Sequence, residues 1–352
     1  MKNIFIYLTI TMTLISCEDD IVVEDSYENV FETFWKIMDE HYVYFNEKQL
    51  DWDSIYCVYS PRIDAITNDD ELAQLLSGIL NSWVDHHVVI YPPDRDVIHN
   101  SNQLPFKFTF SYSLNGLYSF GDYEYKLPQF STIENRDGDK QYAYLSIKTL
   151  AESIAPGVLE EALSHLYFGD GLIVDLRLCG GGFFSNVYRI ATNFYDGERD
   201  LFYKQAKNGP GRNDFGSLEP IIRKGTGLIP DSVPVIVLID SANFSASNVL
   251  AFILNDLPNT ITLGTTTGGG GSPINNVYLP NGWLFTYSYL KLITVSGKDM
   301  ELGLVPDIVH NFVLPKYFKG DRDEHIAIAL ELLDSINGFE KINYQDMYKD
   351  ED

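Results

Sequence analysis

An α/β core behind a small N-terminal helical domain is the fold class this sequence predicts. Apolar residues recur at helical spacing across residues 26–87. Beyond residue 150, short unbroken apolar runs alternate with helical patterns, the order expected of βα units. Glycine-rich turns stand after two of those runs, where a strand hands the chain to the next element.

The elements follow in order. Tyr27, Val30, Phe31, Phe34, Ile37 and Met38 share one face of a first helix. Asp51-Trp52-Asp53 starts a second, which Ser60-Pro61 punctuates, and Asn68-Asp69-Asp70-Glu71 caps a third that carries Leu72, Leu75, Leu76, Ile79 and Leu80. Residues 88–150 read as strands and loops, with alternation at Phe106, Phe108, Phe110 and Tyr112 and again at Tyr142, Tyr144 and Ser146. A helix is predicted at 156–167, a buried strand at 171–176, and a helix at 184–195 after a glycine turn. Residues 203–230, with several glycines and Pro210, Pro220 and Pro230, read as irregular, fitting a lid, a substrate-side loop or a surface excursion. The run 233–240, VPVIVLID, predicts a buried strand, with a helix at 247–256. Ile261 to Gly264 is another strand. Trp283–Leu290 and Lys291–Val295 read as a hairpin-like pair, and a last helix spans 323–335 before an acidic tail at 341–352.

Composition narrows the function. The 352 residues are 45% hydrophobic and 14% aromatic, enough for a substantial core. A formal charge of −25 with no basic patch argues against a nucleic-acid partner. Lys2, the apolar run from Ile4 to Ile15 and Ser16-Cys17 resemble a bacterial lipoprotein signal, in which Cys17 takes the lipid. Residues 1–17 then form the signal and lipidation cysteine, and 18–25 an acidic tether. That resemblance implies a membrane-anchored protein of the bacterial envelope, on the outer membrane, and the acids after Cys17 are similar to export signals of surface lipoproteins. Cys57 and Cys179 are left with no metal-type spacing. The sequence offers no metal cluster and no cofactor motif, and leaves the oligomeric state open.

Three loops carry the chemistry. In Asn243-Phe244-Ser245-Ala246-Ser247-Asn248, Ser245 stands at a strand-to-helix turn, where a nucleophile finds amide donors at a helix N-terminus. Asp175 to Gly182 follows a strand and ends in three glycines. It is neither a phosphate loop nor a dinucleotide fingerprint, and the amides of Gly181 or Gly182 can complete an oxyanion hole begun by Ala246. Gly268, Gly269, Gly270 and Gly271 form the third loop, fitting close backbone approach to a ligand, a mobile rim, or plain flexibility. His86 and His87, in Asp85-His86-His87, are candidate bases at the junction of the helical domain with the first strand.

Taken together, Gly171–Gly182, Val235–Leu250, Leu263–Gly271 and Gly303–Ile308 resemble four consecutive blocks of the tail-specific (C-terminal processing) protease family. Phe34-Trp35, Tyr42, Phe45, Asp51-Trp52-Asp53 and the Asp85-to-His87 pattern also resemble it. The resemblance implies a crotonase/Clp-protease-like spiral of β-β-α units, with residues 88–340 as the catalytic domain. Where the family's Ser-Lys branch has its lysine, this chain has Gly270, which excludes that dyad. The site instead resembles the tricorn-core branch, which implies Ser245 as nucleophile, His87 as base and Glu301 as acidic partner. His86 is the alternate to His87, and Asp299 to Glu301, since the spacing to Gly303 is displaced by one residue. Asn248 replaces a glutamate common in the family. The stretch between His87 and Tyr142 is too short for a PDZ module. The implied function is a serine endopeptidase acting on peptides or unfolded protein. The alternatives are an inactive peptide- or ligand-binding protein on the same fold, and another acyl hydrolase such as an esterase.

Overall fold

The computed structural model describes residues 26–101, 124–126, 130–137, 140–164, 166, 168–311 and 323–336. The signal and tether at 1–25, the alternation at Phe106 to Tyr112, and the tail at 341–352 lie outside the described residues.

Helix α1 (Tyr27–His41) begins at Ser26, whose hydroxyl accepts from the Asn29 amide. Helices α2 (Trp52–Tyr59) and α3 (Asp69–Leu80) are capped in the same way by Asp51 and Asn68. Their apolar faces bury Val30, Phe34, Trp52, Leu72 and Leu76 together, as the periodicity predicts. The same core takes in Ile90, Phe285 and Tyr287 from a three-stranded antiparallel sheet. In that sheet β11 (Leu284–Ser288) lies between β1 (Val89–Tyr91) and β10 (Ile274–Tyr278).

The central sheet has seven strands among the described residues. In chain order they are β2 (Glu124–Lys126), β3 (Phe130–Asp137), β4 (Lys140–Ile147), β5 (Gly171–Asp175), β8 (Val235–Ile239), β9 (Thr260–Gly264) and β13 (Ile308–Val309). Their spatial order is β13-β9-β8-β5-β4-β3-β2, parallel from β13 to β4 and antiparallel at β3 and β2. Strands β5, β8 and β9 are buried throughout because helices cover both faces. Leu172, Val174, Val235 and Val237 face α4 (Val158–Ser164), α5 (Phe184–Ala191) and α6 (Ala246–Asn255), whereas Ile173, Ile236 and Leu238 meet α7 (Glu324–Ser335).

Two expectations are corrected. Residues 203–230 are regular in part: β6 (Asp196–Ala206) and β7 (Glu219–Thr226) form an antiparallel pair, with the irregular stretch between them. Their side chains are largely solvated, so the apolar alternation that marks a strand is missing. The segments around 283–295 do not pair with each other. β11 belongs to the β1–β10 sheet, and β12 (Leu290–Ile293) pairs with β6. The break at half-exposed Tyr289 sends consecutive strands into different sheets.

Trp52 is fully buried, stacks on Trp35 at 4.0 Å and meets Trp83 edge-on at 5.5 Å. Trp52→Ala is therefore expected to cost about 3–5 kcal/mol in denaturant unfolding. A loss below about 1 kcal/mol would show that the helical layer unfolds apart from the rest.

Candidate active site

The loops after β5, β8 and β9 meet at one edge of the central sheet. Asp240 and Asn243, both buried, tie the first two together. The Asp240 carboxyl accepts from the amides of Leu178 and Ala242, while burial raises its pKa to about 6. The Asn243 amide nitrogen donates to the carbonyl of Leu176 and, at 3.3 Å, of Cys179, and its oxygen accepts from the Asp240 amide at 2.8 Å. Each is a short polar side chain turned back on neighbouring backbone, the usual use of Asp and Asn in turns.

Ser245 is half-buried and sits immediately before α6 with φ 57° and ψ −127°. A serine is strained there, at a cost of order 1–3 kcal/mol. Its amide donates to the Gly269 carbonyl at 2.9 Å, which pins the turn to the third loop. The next amide, that of Ala246, has no backbone acceptor among the described residues and lies at the helix N-terminus. Gly181, at φ 99°, packs directly on this turn. A Cβ there would lie 2.5 Å from the Phe244 carbonyl oxygen and 3.1 Å from the Ala246 nitrogen, so only glycine allows the approach. The Gly181 amide helps hold down the buried Cys179 thiol, whose pKa burial raises. The Gly182 amide has no backbone acceptor among the described residues.

His87 is presented by a tight turn. The Asp85 carboxylate accepts from the His87 amide at 2.8 Å and from the Tyr42 hydroxyl of the helical region. The His87 ring packs against Phe244, the residue before the serine, at 4.6 Å between centroids. Burial lowers its pKa to about 4, against the weaker opposing pull of Asp85. His87 is therefore neutral near pH 7. Its Nδ1 lies 3.5 Å from the hydroxyl of fully buried Ser288. His86 is half-buried, meets Phe244 edge-on at 5.9 Å, and also has its pKa lowered by burial.

Glu301 is buried and stands apart from this pair. One carboxylate oxygen accepts from the Gly271 amide at 2.9 Å, and the other pairs with Lys48 at 2.7 Å. Its own carbonyl accepts from Gly270. No hydrogen bond joins it to His87 among the described residues. Asp299 accepts from the Glu301 amide at 2.9 Å and so caps the short 3-10 turn at Met300–Leu302. Asn248, where the resembled family has glutamate, accepts from the Thr267 hydroxyl at 2.6 Å and donates to the Met300 carbonyl at 2.8 Å. A neutral amide makes both bonds, which a carboxylate does not.

The glycine loop is tied rather than loose. Gly268 donates to the Asn243 carbonyl, Gly270 and Gly271 donate to Glu301, and Gly269 accepts from Ser245. Gly270 has φ 73°, and a Cβ there would run into the Phe244 ring. A side chain at this position would have to displace the Phe244 ring from its contact with His87. Sequence reasoning missed Lys48, Phe244 as the contact between serine and histidine, and Ser288. Only Ser288 left a trace: it lies in an apolar-polar alternating strand that pairs beside the histidine segment.

A serine on a strained strand-to-helix turn, amides beside it with no backbone acceptor among the described residues, and a neutral histidine packed on Phe244, the residue before the serine, share this end of the sheet. Two regions of the chain resemble known proteins. Residues 141–310 match the family model of peptidase family S41, and residues 23–81 match that of the tricorn protease C1 domain. A carboxy-terminal-processing protease of Bartonella bacilliformis is 28% identical over 151 residues, which is 43% of this chain and 33% of the relative. The carboxy-terminal processing protease CtpA of Bacillus subtilis is 23% identical over 227 residues, 60% of this chain and 46% of the relative. The chain thus spans about a third to a half of the length of these curated relatives. A crystal structure of a putative peptidase from Parabacteroides merdae superposes with a TM-score of 0.73 at 27% identity, covering 89% of this chain and 98% of that one. Mature CPAF shares the fold at a TM-score of 0.69 and 12% identity, covering 90% of this chain and 99% of that one. The chain is thus similar to peptidase family S41 over residues 141–310 and to the tricorn protease C1 domain over residues 23–81.

Gly270→Lys is expected to lower stability by about 1–3 kcal/mol through its positive φ and the Phe244 overlap, and not to create a base. Thermal or denaturant unfolding checks this; a variant as stable as wild type would show that the loop re-forms around the lysine.

Proposed function

We propose that the chain is a serine endopeptidase of the bacterial cell envelope that cleaves peptides or unfolded proteins. The observation that carries this reading is the contact of His87 with Phe244 at 4.6 Å, directly beside strained, partly accessible Ser245. In this reading Ser288 fixes the tautomer. Nδ1–H faces the Ser288 oxygen, which leaves Nε2 as the free base. Nε2 takes the Ser245 hydroxyl proton as Oγ attacks the scissile carbonyl carbon. The tetrahedral oxyanion is held by the amides of Ala246 and Gly182, while Gly181 provides the close approach rather than a donor. Protonated His87 gives its proton to the leaving amine, and water, deprotonated by His87, then releases the acyl group from Ser245. His86 meets Phe244 edge-on at 5.9 Å and is kept as the alternate base. We read the central sheet as the crotonase-type spiral, and Cys17 as a lipid anchor; among the described residues no helix is long and apolar enough to cross a membrane.

A second reading rests on one observation. His87 meets a neutral Ser288 rather than a carboxylate, an arrangement that an inactive peptide- or ligand-binding relative would tolerate equally.

The test is digestion of casein by the chain beginning after Cys17, with products read by mass spectrometry. Wild type is expected to cleave, and Ser245→Ala and His87→Ala to lose at least about 10³-fold in kcat. Intact casein with the wild type, together with undiminished peptide binding by Ser245→Ala, would leave the binding-protein reading standing instead.

A further inference from the structure

The turn that follows α1 enters the site from the helical region. It carries two neighbouring charges, and each meets the opposite charge from a distant part of the chain. Glu47 pairs with Lys291 on β12, and Lys48 pairs with Glu301 at 2.7 Å. The two pairs differ in what lies behind them. Lys291 also sits over the Phe215 ring at 4.5 Å. Glu301 holds that loop at two points, through its carboxylate to the Gly271 amide and its carbonyl to the Gly270 amide. Gly269, the next residue back, accepts from the Ser245 amide at 2.9 Å. Four contacts therefore connect the ammonium of Lys48 to the backbone of Ser245.

We propose that Lys48 is a positioning residue of the Ser245 site: its ammonium holds the Glu301 side chain in place, and Glu301 holds the glycine loop on which the strained serine turn is fixed. The inference rests on the reading of Ser245 as nucleophile. Charge gives it its physical basis. Glu301 is nearly fully buried and faces Asp85, Asp299 and the hydroxyls of Tyr42 and Tyr44, with Lys48 as its cationic neighbour. Burial, then Asp85, raise its pKa to about 8 even though Lys48 pulls it down, and Asp299 adds to the rise. Lys48 in turn has its own pKa raised by Asp85 and Glu301, against the desolvation that would lower it. Without the ammonium the carboxyl loses its charged partner and stays protonated to still higher pH, and a neutral acid accepts far more weakly from an amide than an anion does. The family's other branch places a lysine on the glycine loop itself. Here that position is closed by Phe244, and an ammonium reaches the same loop from the accessory region through Glu301.

The test compares Lys48→Met, Lys48→Arg and Lys291→Met, the last removing the neighbouring pair on the same turn. Two readouts are used: the rate of Ser245 labelling by a fluorophosphonate at pH 6 and pH 9, and hydrogen exchange of residues 265–273. In Lys48→Met, labelling is expected to slow about 10- to 100-fold at pH 9, where wild-type Glu301 is ionised, as displacement of a reacting group by about 1 Å would cause. The sign follows from Glu301: its pKa of about 8 rises further when Lys48 is lost, so the acid limb of labelling moves to higher pH and the two proteins converge at pH 6, where both carry a neutral acid. Lys48→Arg is expected to stay within about threefold of wild type because it keeps the cation. The glycine loop should exchange faster in Lys48→Met and not in Lys291→Met. Adding Glu301→Gln to Lys48→Met should cost little more than Glu301→Gln alone, since the two act in series. Equal slowing at both pH values, matched by Lys291→Met, would overturn the inference and make Lys48 a strut of the interface. If Lys48→Met does not fold, the pH dependence of Glu301→Gln decides: it should be flat on the acid side where wild type falls, and an unchanged acid limb would refute the role. Failure of the wild type to label would sink the nucleophile reading instead, while the exchange comparison would still judge the Lys48 link.

Discussion

The site depends on one backbone constraint, the hydrogen bond from the Ser245 amide to the Gly269 carbonyl. It fixes a serine at φ 57°, a conformation that the residue would otherwise leave. Everything around that bond serves to make it possible. Gly181 has no side chain, so the first loop can press against the turn. Gly270 has none either, so Phe244 can occupy the space and meet His87. Asp240 and Asn243 hold the first two loops in register, and Glu301 holds the third. The strain at Ser245 is thus offset by a set of bonds made by neighbouring loops, and the helix behind it begins with an amide that no backbone group has claimed.

The accessory helices contribute to this arrangement rather than merely covering it. Tyr42 reaches Asp85, which shapes the turn of His87, and Lys48 reaches Glu301. Both come from the stretch just beyond α1, and both act on buried carboxylates. A buried pair of this kind adds little net stability, because desolvation cancels much of its attraction, but it strongly specifies geometry, and breaking it leaves an uncompensated charge. The helical region and the three-stranded sheet share one core, so these contacts are held by packed side chains rather than by a loose surface.

Much of this was legible in the sequence. Strands β5, β8 and β9 announced themselves as apolar runs because both their faces are covered, and the helices of residues 26–80 by apolar spacing and Ser, Asp or Asn caps. Ser245 was legible from its place between β8 and α6. The β6–β7 pair was not, because its side chains face water and its glycines and prolines read as loop. The partners of β11 and β12 were not, because adjacent strands in sequence joined different sheets. Lys48 carried no local signal at all: its meaning comes from a glutamate 253 positions further along the chain, which only the fold brings to it. Glu301 was found by spacing, yet its contacts proved to be with the glycine loop and the lysine rather than with the histidine.

The central claim is that Ser245, rather than Ser288, is the reactive hydroxyl. Ser288 lies 3.5 Å from His87 but is fully buried, while Ser245 follows the Phe244 that packs on His87 and is partly accessible. The most direct measurement is to react the wild-type protein with a fluorophosphonate and map the adduct by peptide mass spectrometry. The account predicts a single adduct, on the peptide containing Ser245 and absent from Ser245→Ala. An adduct on Ser288, or one that persists at full yield in Ser245→Ala, would contradict it.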